Sequence, residues 1–199
     1  MANGGGILNS EVVIVGGGPF GLMLAIELGR RNISTALYDA KNGTAYNPQA
    51  NATQARTMEY FRRLGIADEI RALGMPADYP TDIAYFTRYG HHELGRFQLP
   101  ASSKANALVR SNQGSWTASE APHRISQKFV EPVLRRLAEA YDSVKVNFGW
   151  KMTEFKEDAS GISAIFERSE TGATHNIDAT YLIGADGARS MVRKQLGYS

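Results

Sequence analysis

Residues 12–21 read V-V-I-V-G-G-G-P-F-G, and this stretch decides the fold. An apolar, β-branched run breaks directly into a Gly-x-Gly-x-x-Gly turn, which is the pattern of a buried strand, a phosphate-binding loop and the start of a helix. In this pattern Gly16 allows a tight turn, Gly18 lets the backbone approach a pyrophosphate, and Gly21 lets the helix pack against the sheet. Pro19 suits the first position of a helix, because its missing N–H would have no partner there.

The residues that follow favour a dinucleotide-binding βαβ unit. A helical pattern over residues 22–30 precedes a second apolar strand over residues 35–38, which leads into Asp39. This aspartate lies about 20 residues after the glycines, where a ribose-binding carboxylate is expected. An acidic side chain at that place favours a ribose with a free 2′-hydroxyl group, and so FAD or NAD rather than NADP. The alternative is an ordinary glycine-rich connection in an α/β protein.

Composition excludes several classes of protein. The chain has 199 residues, 43% of them hydrophobic, with a formal net charge of +2 and no cysteine. Disulfides, thiolate metal sites, iron–sulfur clusters, cysteine nucleophiles and flavin-linked dithiol relays are therefore excluded. No basic stripe suggests nucleic acid, and no apolar run is long enough to span a membrane. The N-terminal residues lack the features of a signal peptide, so the expected compartment is the cytoplasm.

Periodicity and turn residues divide the rest of the chain. Two amphipathic helical pieces are predicted over residues 52–73. The other predicted elements are a hairpin with strands at 82–88 and 93–99, a loop at 100–114, a helix at 127–141, three strands at 145–156, 162–168 and 174–181, an apolar step at 181–184 and a last helix from residue 190. This order predicts an α/β fold with a mainly parallel sheet, flanking helices and an antiparallel meander.

A second strong motif closes the chain. Residues 184–197 read G-A-D-G-A-R-S-M-V-R-K-Q-L-G, in which an Asp-Gly pair stands between a strand and a helix start. Together with the glycine loop, this motif resembles the class A flavin-dependent aromatic hydroxylases of the para-hydroxybenzoate and phenol hydroxylase type. The order of elements is similar too, including an R-T-M-E-Y-F-R-R-L-G-I helix and an R-x-x-Q helix start. The resemblance implies a Rossmann-like, glutathione-reductase-type FAD-binding domain with an antiparallel β-meander and the beginning of a β-rich substrate domain.

The resemblance also implies roles for residues of the first motif. Gly16, Gly18 and Gly21, with Pro19, would hold the FAD pyrophosphate, and Asp39 would hold the adenosine ribose. In such enzymes the flavin carries the chemistry, with NAD(P)H as a transient reductant. No catalytic acid, base or nucleophile and no metal ligand is therefore expected from this chain.

Five further contacts follow from the other motifs. Gln127 matches a helix-start glutamine that contacts the flavin nucleotide in the family, and Arg124 would add positive charge there. Asp186 matches an aspartate that lies close to both FAD and the pyridine nucleotide, where it accepts hydrogen bonds from hydroxyl groups while Gly187 lets the turn pass close. Arg56 would face the same cofactor groove from the second helix.

The sequence departs from the family pattern at several places. Asp39-Ala40 stands where the family often has Glu-Arg, and Gln49 stands where an arginine usually precedes the helix. Phosphate neutralisation would then rest on Arg56 or Arg124, or be weaker than in the family. The chain contains no Gly-Asp dipeptide, whereas family members carry a Gly-Asp-Ala-Ala-His type turn that binds ribitol and phosphates, and it stops where the family continues. We therefore expect an N-terminal fragment or a truncated gene product.

Three functions are compatible with these predictions. The first is the FAD-binding part of an NAD(P)H-dependent monooxygenase that uses O₂ to hydroxylate a phenolic or polyketide-like aromatic substrate. The second is an FAD-binding fragment without activity of its own, which the missing Gly-Asp motif favours. The third is a non-hydroxylating FAD oxidoreductase.

The FAD-binding domain is predicted over residues 1–75 and 110–199, with residues 76–109 as a β excursion that belongs to the substrate domain. A homo-oligomer is compatible with the sequence.

Other conspicuous polar residues are expected to be solvated. This holds for His91 and His92 in a turn, for His123 before a helix, and for His175 in a strand. Three charged residues of the helix at 127–141 are expected on a solvated face with i,i+4 pairing: Glu131, Arg135 and Glu139. Four aromatic residues of the hairpin would line an aromatic-substrate pocket or pack between strands: Tyr85, Phe86, Tyr89 and Phe97.

Overall fold

A computed structural model of the chain describes residues 8–47, 49–111 and 118–198. The chain forms two compact units, the first made of Met1–Tyr46 and Glu131–Ser199 and the second of Asn47–Val130. In chain order the strands and helices are β1 (Leu8–Val15), α1 (Pro19–Gly29), β2 (Thr35–Asp39), β3 (Ala52–Thr53), α2 (Ala55–Arg63), α3 (Ala67–Ala72), β4 (Ile83–Phe86), β5 (Glu93–Phe97), α4 (Ala105–Ser111), β6 (His123–Arg124), α5 (Gln127–Glu139), β7 (Val144–Phe148), β8 (Trp150–Asp158), β9 (Gly161–Arg168), β10 (Thr174–Gly184) and α6 (Met191–Gln195). None of the helices described here is long and apolar enough to cross a membrane.

A six-stranded sheet forms the centre of the first unit, in the order β7-β2-β1-β10-β9-β8. The strands β7, β2, β1 and β10 run parallel, whereas β9 and β8 continue the sheet in the antiparallel direction. This arrangement confirms the predicted α/β fold with a mainly parallel sheet and an antiparallel meander. The parallel strands end at one edge of the sheet, so the segments that follow β1, β2 and β10 meet there.

Both faces of strand β1 are buried. On one face, Val13 and Val15 pack in a cluster with Tyr38 of β2, whose ring lies 4.1 Å from the ring of Phe166 in the meander. On the other face, Ile14 is fully buried and lies close to the first turn of α1. A strand covered on both sides is apolar throughout, which explains why residues 12–15 lack the alternation of a half-exposed strand.

The predicted strand at 145–156 is two strands with different partners. Its first part, β7, pairs in parallel with β2, and its second part, β8, pairs in the antiparallel direction with β9. The chain breaks at Gly149, whose φ of 79° is outside the extended region. The Gly149 N–H donates to the carbonyl oxygen of Lys41 at 2.7 Å, and its own carbonyl accepts from the N–H of Ser169 at 2.9 Å. The prediction of one strand was wrong because this single glycine changes the chain direction.

The segment at 100–114 was predicted as a loop, and this prediction was wrong for most of its length. A 3₁₀ turn at Ser102–Lys104 runs into helix α4, in which Ala105 is buried. The sequence A-N-A-L-V-R of α4 contains good helix formers. The small polar residues before it favoured the prediction of a loop for the whole segment. Residues 112–114 lie outside the described part of the chain.

Two short helices supply much of the core of the second unit. Met58 and Phe61 of α2 and Ile70 of α3 are buried, as the helical periodicity predicts. Arg71, also in α3, donates to the carboxylate of Glu120 at 2.8 Å. Strands β3 and β6 form a two-residue antiparallel pair in the same unit. The two predicted helical pieces are therefore confirmed, except that residues 52–53 form strand β3.

Strands β4 and β5 form the predicted hairpin with narrower bounds. The rings of Tyr85 and Phe97 pack in a T-shaped arrangement with centroids 6.1 Å apart, yet both residues are exposed, as is Phe86. His91 and His92 are exposed in the turn, as predicted. Within the described ranges, no group of three or more His, Asp or Glu side chains could hold a metal ion. The hairpin thus carries aromatic rings that its own strands do not cover.

Two histidines that were expected to be solvated are wholly or partly buried. His123 in β6 is 5% exposed, and its Nε2 atom has no hydrogen-bond partner among the described residues. Burial, with a smaller contribution from the positive charge of Arg71, lowers the pKa of His123 to about 4. His175 in β10 is half-buried with its ring 4.0 Å from that of Trp150, and burial lowers its pKa as well. Both predictions were wrong because the burial of these rings comes from packing that no local pattern reports.

We expect His123 to make the fold sensitive to acid. The ordinary pKa of histidine is about 6.5, so below that pH the unfolded chain binds a proton that the folded chain refuses until about pH 4. Stability from this residue is therefore complete above pH 6.5 and is lost as the pH falls, by about 1 kcal/mol per pH unit. Urea unfolding at pH 7 and pH 5 should show a smaller pH effect in His123→Gln than in the wild type.

The control for this prediction is His91→Gln, which changes an exposed histidine and should keep the wild-type pH dependence. His175 contributes in the same direction in all three proteins, so the effect in His123→Gln should be reduced rather than abolished. The same loss of stability in His123→Gln as in the wild type would contradict the prediction.

Candidate dinucleotide-binding site

Backbone hydrogen bonds join the ends of three parallel strands at one edge of the sheet. The N–H of Gly16, just after β1, donates to the carbonyl oxygen of Tyr38 in β2 at 2.7 Å. The N–H of Ala185, just after β10, donates to the carbonyl oxygen of Val15 at 2.7 Å. The glycine loop, Asp39 and the Asp-Gly segment are therefore brought together within the first unit, at the edge where α/β sheets bind ligands.

The three motif glycines meet different constraints. Gly16 has a φ of 115°, and a Cβ atom there would overlap the carbonyl oxygen of Ala185. A Cβ atom on Gly21 would overlap the carbonyl oxygen of Gly16, so the first turn of α1 packs directly on the loop. Gly18 has ordinary extended backbone with a φ of −77°, and no heavy atom lies within 4 Å of the place where its Cβ would be. Gly16 and Gly21 are thus demanded by the protein itself, whereas Gly18 faces open space.

The N-terminus of α1 is open. Pro19 occupies the first helical position, the N-cap residue Gly18 makes no side-chain hydrogen bond, and the first turn contains no acidic side chain. The unpaired N–H groups and the positive end of the helix dipole are therefore not neutralised by the helix's own side chains. With eleven residues in α1, this end can stabilise an anion.

The carboxylate of Asp39 is bound on both oxygens by backbone. Its Oδ2 atom accepts from the N–H of Gly17 at 2.6 Å, and its Oδ1 atom accepts from the N–H of Lys41 at 2.8 Å. A Cβ atom on Gly17 would lie 3.0 Å from both the Cβ of Asp39 and the ring of Phe148, so the middle glycine of the loop also has a packing reason. Sequence reasoning missed this bracing role. An ionised carboxylate has about four acceptor positions, which leaves about two of them for a ligand.

Asp186 has one satisfied and one unsatisfied carboxylate oxygen. Its Oδ2 atom accepts from the N–H of Met191 at 2.6 Å, at the start of α6. Its Oδ1 atom is buried and has no hydrogen-bond partner in the part of the chain that the structure describes. Gly187, with a φ of 78°, makes the turn that follows. A buried acceptor without a donor is costly, which marks Oδ1 as an atom available to a hydroxyl or N–H of a ligand.

The other predicted site residues lie in the second unit. Gln127 begins α5, where its side-chain Oε1 accepts from the N–H of Gln49 at 3.1 Å. Arg124 in β6 donates to the side chain of Asn51 at 3.3 Å. Both side chains therefore hold the segment at 49–53. Arg56 lies on α2 with 78% of its side chain exposed and forms an ion pair of 3.2 Å with Glu59.

The charged residues of α5 are divided between surface and core. Arg135 and Glu139 form the predicted i,i+4 ion pair at 2.7 Å, and the Arg135 guanidinium lies 4.7 Å from the ring of Phe148. Glu131 is 2% exposed, so the prediction of a solvated side chain was wrong. Its carboxylate accepts a hydrogen bond from the N–H of Ala45, in the segment after β2. The signal was present in the sequence, because Glu131 has the i,i+3 spacing that places it on the same helix face as the buried Leu134.

This arrangement is suited to binding rather than to acid–base chemistry. A glycine loop and an open helix end can receive a pyrophosphate, and two carboxylates beside them can accept hydrogen bonds from ribose or ribitol hydroxyl groups. The aspartates are held by backbone N–H groups. The geometry therefore fits the phosphate and sugar part of a dinucleotide.

Comparison with known proteins gives a consistent result. The sequence model of a family described as FAD binding domain matches residues 9–199. Phenol 2-monooxygenase from Pseudomonas sp. (strain EST1001) is 31% identical over 193 residues, which cover 97% of this chain and 31% of that protein. Aklavinone 12-hydroxylase DnrF from Streptomyces peucetius is 34% identical over 191 residues, which cover 94% of this chain and 37% of that protein.

Solved structures show the same similarity. The rebeccamycin biosynthetic enzyme RebC with reduced flavin superposes with a TM-score of 0.82 at 30% identity, over 96% of this chain and 35% of that one. The flavin-dependent monooxygenase PieE in complex with FAD and substrate gives a TM-score of 0.82 at 30% identity, over 96% of this chain and 32% of that one. This chain thus spans about a third of the length of the relatives that it matches. Because the family model covers nearly all of its residues, the chain belongs to the FAD-binding-domain family of the class A FAD-dependent aromatic monooxygenases.

Proposed function

We propose that this chain forms the adenosine half of the FAD site in an NAD(P)H-dependent monooxygenase that hydroxylates a phenolic or polyketide-like aromatic compound. The observation that supports this most is the contact between the glycine loop and the Asp-Gly segment, where Asp186 keeps a buried carboxylate oxygen without a partner among the described residues. The similar proteins support the substrate class, since by name they include a phenol 2-monooxygenase and an aklavinone 12-hydroxylase.

The first motif fits the pyrophosphate and adenosine ribose of FAD. Gly18 leaves open space at the N-terminus of α1, so the backbone N–H groups of the first turn can donate to a pyrophosphate. Gly16 and Gly21 fix the shape of the loop, and Pro19 starts the helix in the right direction. Asp39 would accept from ribose hydroxyl groups with the carboxylate positions that Gly17 and Lys41 leave free.

The residues of the other motifs would add further contacts. Asp186 would accept from a hydroxyl group of FAD through its unpartnered Oδ1 atom, and Gly187 would let the turn pass close to the ligand. Gln127 would contact the flavin nucleotide, and Arg124 and Arg56 would add positive charge for the phosphates. The bound flavin supplies the redox chemistry, with electrons from NAD(P)H and with O₂ as the oxygen donor. This chain's residues bind and orient the cofactor.

The organisation of the protein is part of the same proposal. The FAD-binding domain would comprise residues 1–75 and 110–199, and the aromatic hairpin within residues 76–109 would belong to the substrate domain. The exposed rings of Tyr85, Phe86 and Phe97 are compatible with that assignment. We place the protein in the cytoplasm, where a nicotinamide reductant is available.

A second candidate function is FAD binding without hydroxylation. The observation that favours it is that the glycine loop and the two aspartates held by backbone N–H groups are suited to binding rather than to acid–base chemistry. Such a chain would bind the adenosine part of FAD with the glycine loop and Asp39 and would not oxidise NAD(P)H in response to a substrate.

Absorbance spectra of the purified chain with and without added FAD, followed by NADH and NADPH oxidation with phenolic compounds, separate these functions. Retained flavin with substrate-stimulated oxidation supports the monooxygenase. Retained flavin without any oxidation supports the binding-only function. A chain that binds no FAD at micromolar concentration contradicts both.

Alanine at two loop glycines should affect different quantities: at Gly18 the affinity for FAD, and at Gly16 the stability of the fold. Gly18→Ala should leave the free energy of unfolding nearly unchanged, because its φ is ordinary and no atom is within 4 Å, yet it should weaken FAD binding roughly tenfold by narrowing the approach to the loop. Gly16→Ala should destabilise the fold by about 2–4 kcal/mol, because the methyl group would overlap Ala185 at a positive φ. Thermal unfolding and FAD fluorescence titration measure the two quantities. A destabilised Gly18→Ala would show that the space is not free.

Asp39→Ala should weaken FAD binding by about 1–3 kcal/mol, because it removes charge-assisted hydrogen bonds to the ribose and releases the N–H of Gly17. Asp39→Asn keeps one acceptor oxygen and should lie between the alanine variant and the wild type. Asp78→Ala, which changes an exposed aspartate in the second unit, is the matched control. FAD affinity that stays at the wild-type value in Asp39→Ala would show that the ribose lies elsewhere.

A further inference from the structure

We propose that Glu131 is a positioning residue of the FAD site: its buried carboxylate fixes the segment at residues 40–46, here called the post-β2 segment, and thereby keeps Asp39 in place for the adenosine ribose. The inference rests on the proposed FAD binding. Glu131 itself would not touch the cofactor. Its effect would pass through the backbone of the segment that begins directly after Asp39.

The burial of Glu131 requires an explanation. Its side chain is 2% exposed, which makes it one of few charged side chains to be buried in the described chain. Removing a carboxylate from water is costly unless it is hydrogen-bonded, and an apolar side chain at such a place often gives equal or greater stability. A glutamate on the core-facing side of α5 is therefore better explained by the hydrogen bond that it accepts than by a contribution to the stability of the core.

What Glu131 holds is the far end of the post-β2 segment. Its carboxylate accepts from the N–H of Ala45 at 2.5 Å. The helix that carries it is anchored by Leu134 and Ala138, both fully buried, which lie three and seven positions further along α5 on the same face. The acceptor is thus attached to a rigid element, and the donor is attached to an irregular one.

The near end of the segment is held by other contacts. The carbonyl oxygen of Ala40 accepts from the hydroxyl of Ser169 at 3.2 Å, and that of Lys41 accepts from the N–H of Gly149 at 2.7 Å. The side chain of Asn42 donates to the carboxylate of Glu170 at 3.0 Å. These contacts reach residues 40–42, whereas the bond from Ala45 to Glu131 fixes the other side of the turn.

The consequence for the site follows from the position of Asp39. The Oδ1 atom of Asp39 accepts from the N–H of Lys41, inside the post-β2 segment, so motion of the segment moves one of the two groups that orient this carboxylate. The other group, the N–H of Gly17, belongs to the phosphate loop. Loosening the segment should therefore weaken ligand binding while leaving the phosphate loop itself in place.

The test combines hydrogen exchange of the FAD-free chain with FAD titration. In Glu131→Ala we expect the amides of residues 40–46 to exchange at least tenfold faster and the Kd for FAD to rise roughly three- to tenfold, the size of effect expected when one hydrogen bond to a charged group is lost. Glu131→Gln keeps an acceptor oxygen for Ala45 and should restore both quantities to near the wild-type values. Glu157→Ala, which changes an exposed glutamate of β8, should change neither.

If the Glu131→Ala chain does not fold, a variant at the hydrogen-bond donor, Ala45, can still test the proposal. Ala45→Pro removes the N–H that Glu131 accepts, and it should reproduce the faster exchange and the weaker binding. The double variant should bind FAD no more weakly than either single variant, because both remove the same hydrogen bond.

Three results would overturn the proposal: unchanged exchange of residues 40–46 in Glu131→Ala and Ala45→Pro, an unchanged Kd despite faster exchange, or a Glu131→Gln chain as impaired as Glu131→Ala. Failure of the wild-type chain to bind FAD would overturn the proposed function and with it the role of Glu131 in binding. The exchange of the FAD-free chain would still show whether Glu131 holds the segment, so the two failures are distinguishable.

Discussion

The interaction on which the candidate site depends is the pair of backbone hydrogen bonds that joins the ends of β1, β2 and β10. One bond connects Gly16 to Tyr38, and the other connects Ala185 to Val15. They bring segments that are far apart in the sequence to one edge of the sheet, and they do so with atoms that every residue possesses. The side chains at this edge then only have to be small enough for the backbone segments to approach each other. Gly16 is required for that reason, since any Cβ atom would meet the carbonyl oxygen of Ala185.

Three carboxylates of this protein accept hydrogen bonds from backbone N–H groups of loops and helix starts. Asp39 binds two N–H groups, Asp186 binds the start of α6, and Glu131 binds the N–H of Ala45. Each of these bonds shapes a loop before any ligand arrives. Preorganisation of this kind lowers the entropy that ordering the site would otherwise cost on binding. The fold that carries these loops is shared with RebC, on which this chain superposes with a TM-score of 0.82 at 30% identity.

The parts of the fold that local pattern determines could be predicted from the sequence. The glycine loop, strand β2 with Asp39, the apolar sides of α2 and α3 and the parallel sheet with its meander follow from periodicity, turn residues and resemblance. The parts that failed depend on tertiary contacts. His123 looks like a surface residue until the core that covers it is assembled, and the break at Gly149 depends on which strand each half of the segment pairs with. The burial of Glu131 was indicated by its helical spacing to Leu134, and its charge masked that signal.

The close approach of Gly16 to Ala185 has a consequence for how the molecule forms. The phosphate loop is bordered by a segment about 170 positions later in the chain, so the loop cannot reach its final shape while that segment is still being synthesised. Strand β1 depends on late synthesis in the same way, because its partner β10 is the last strand along the chain. Closing such a long separation makes folding slow, and it leaves the apolar edge of β1 uncovered in the nascent chain. The shape of the glycine loop is therefore completed late, after the segment that follows β10 has joined the sheet.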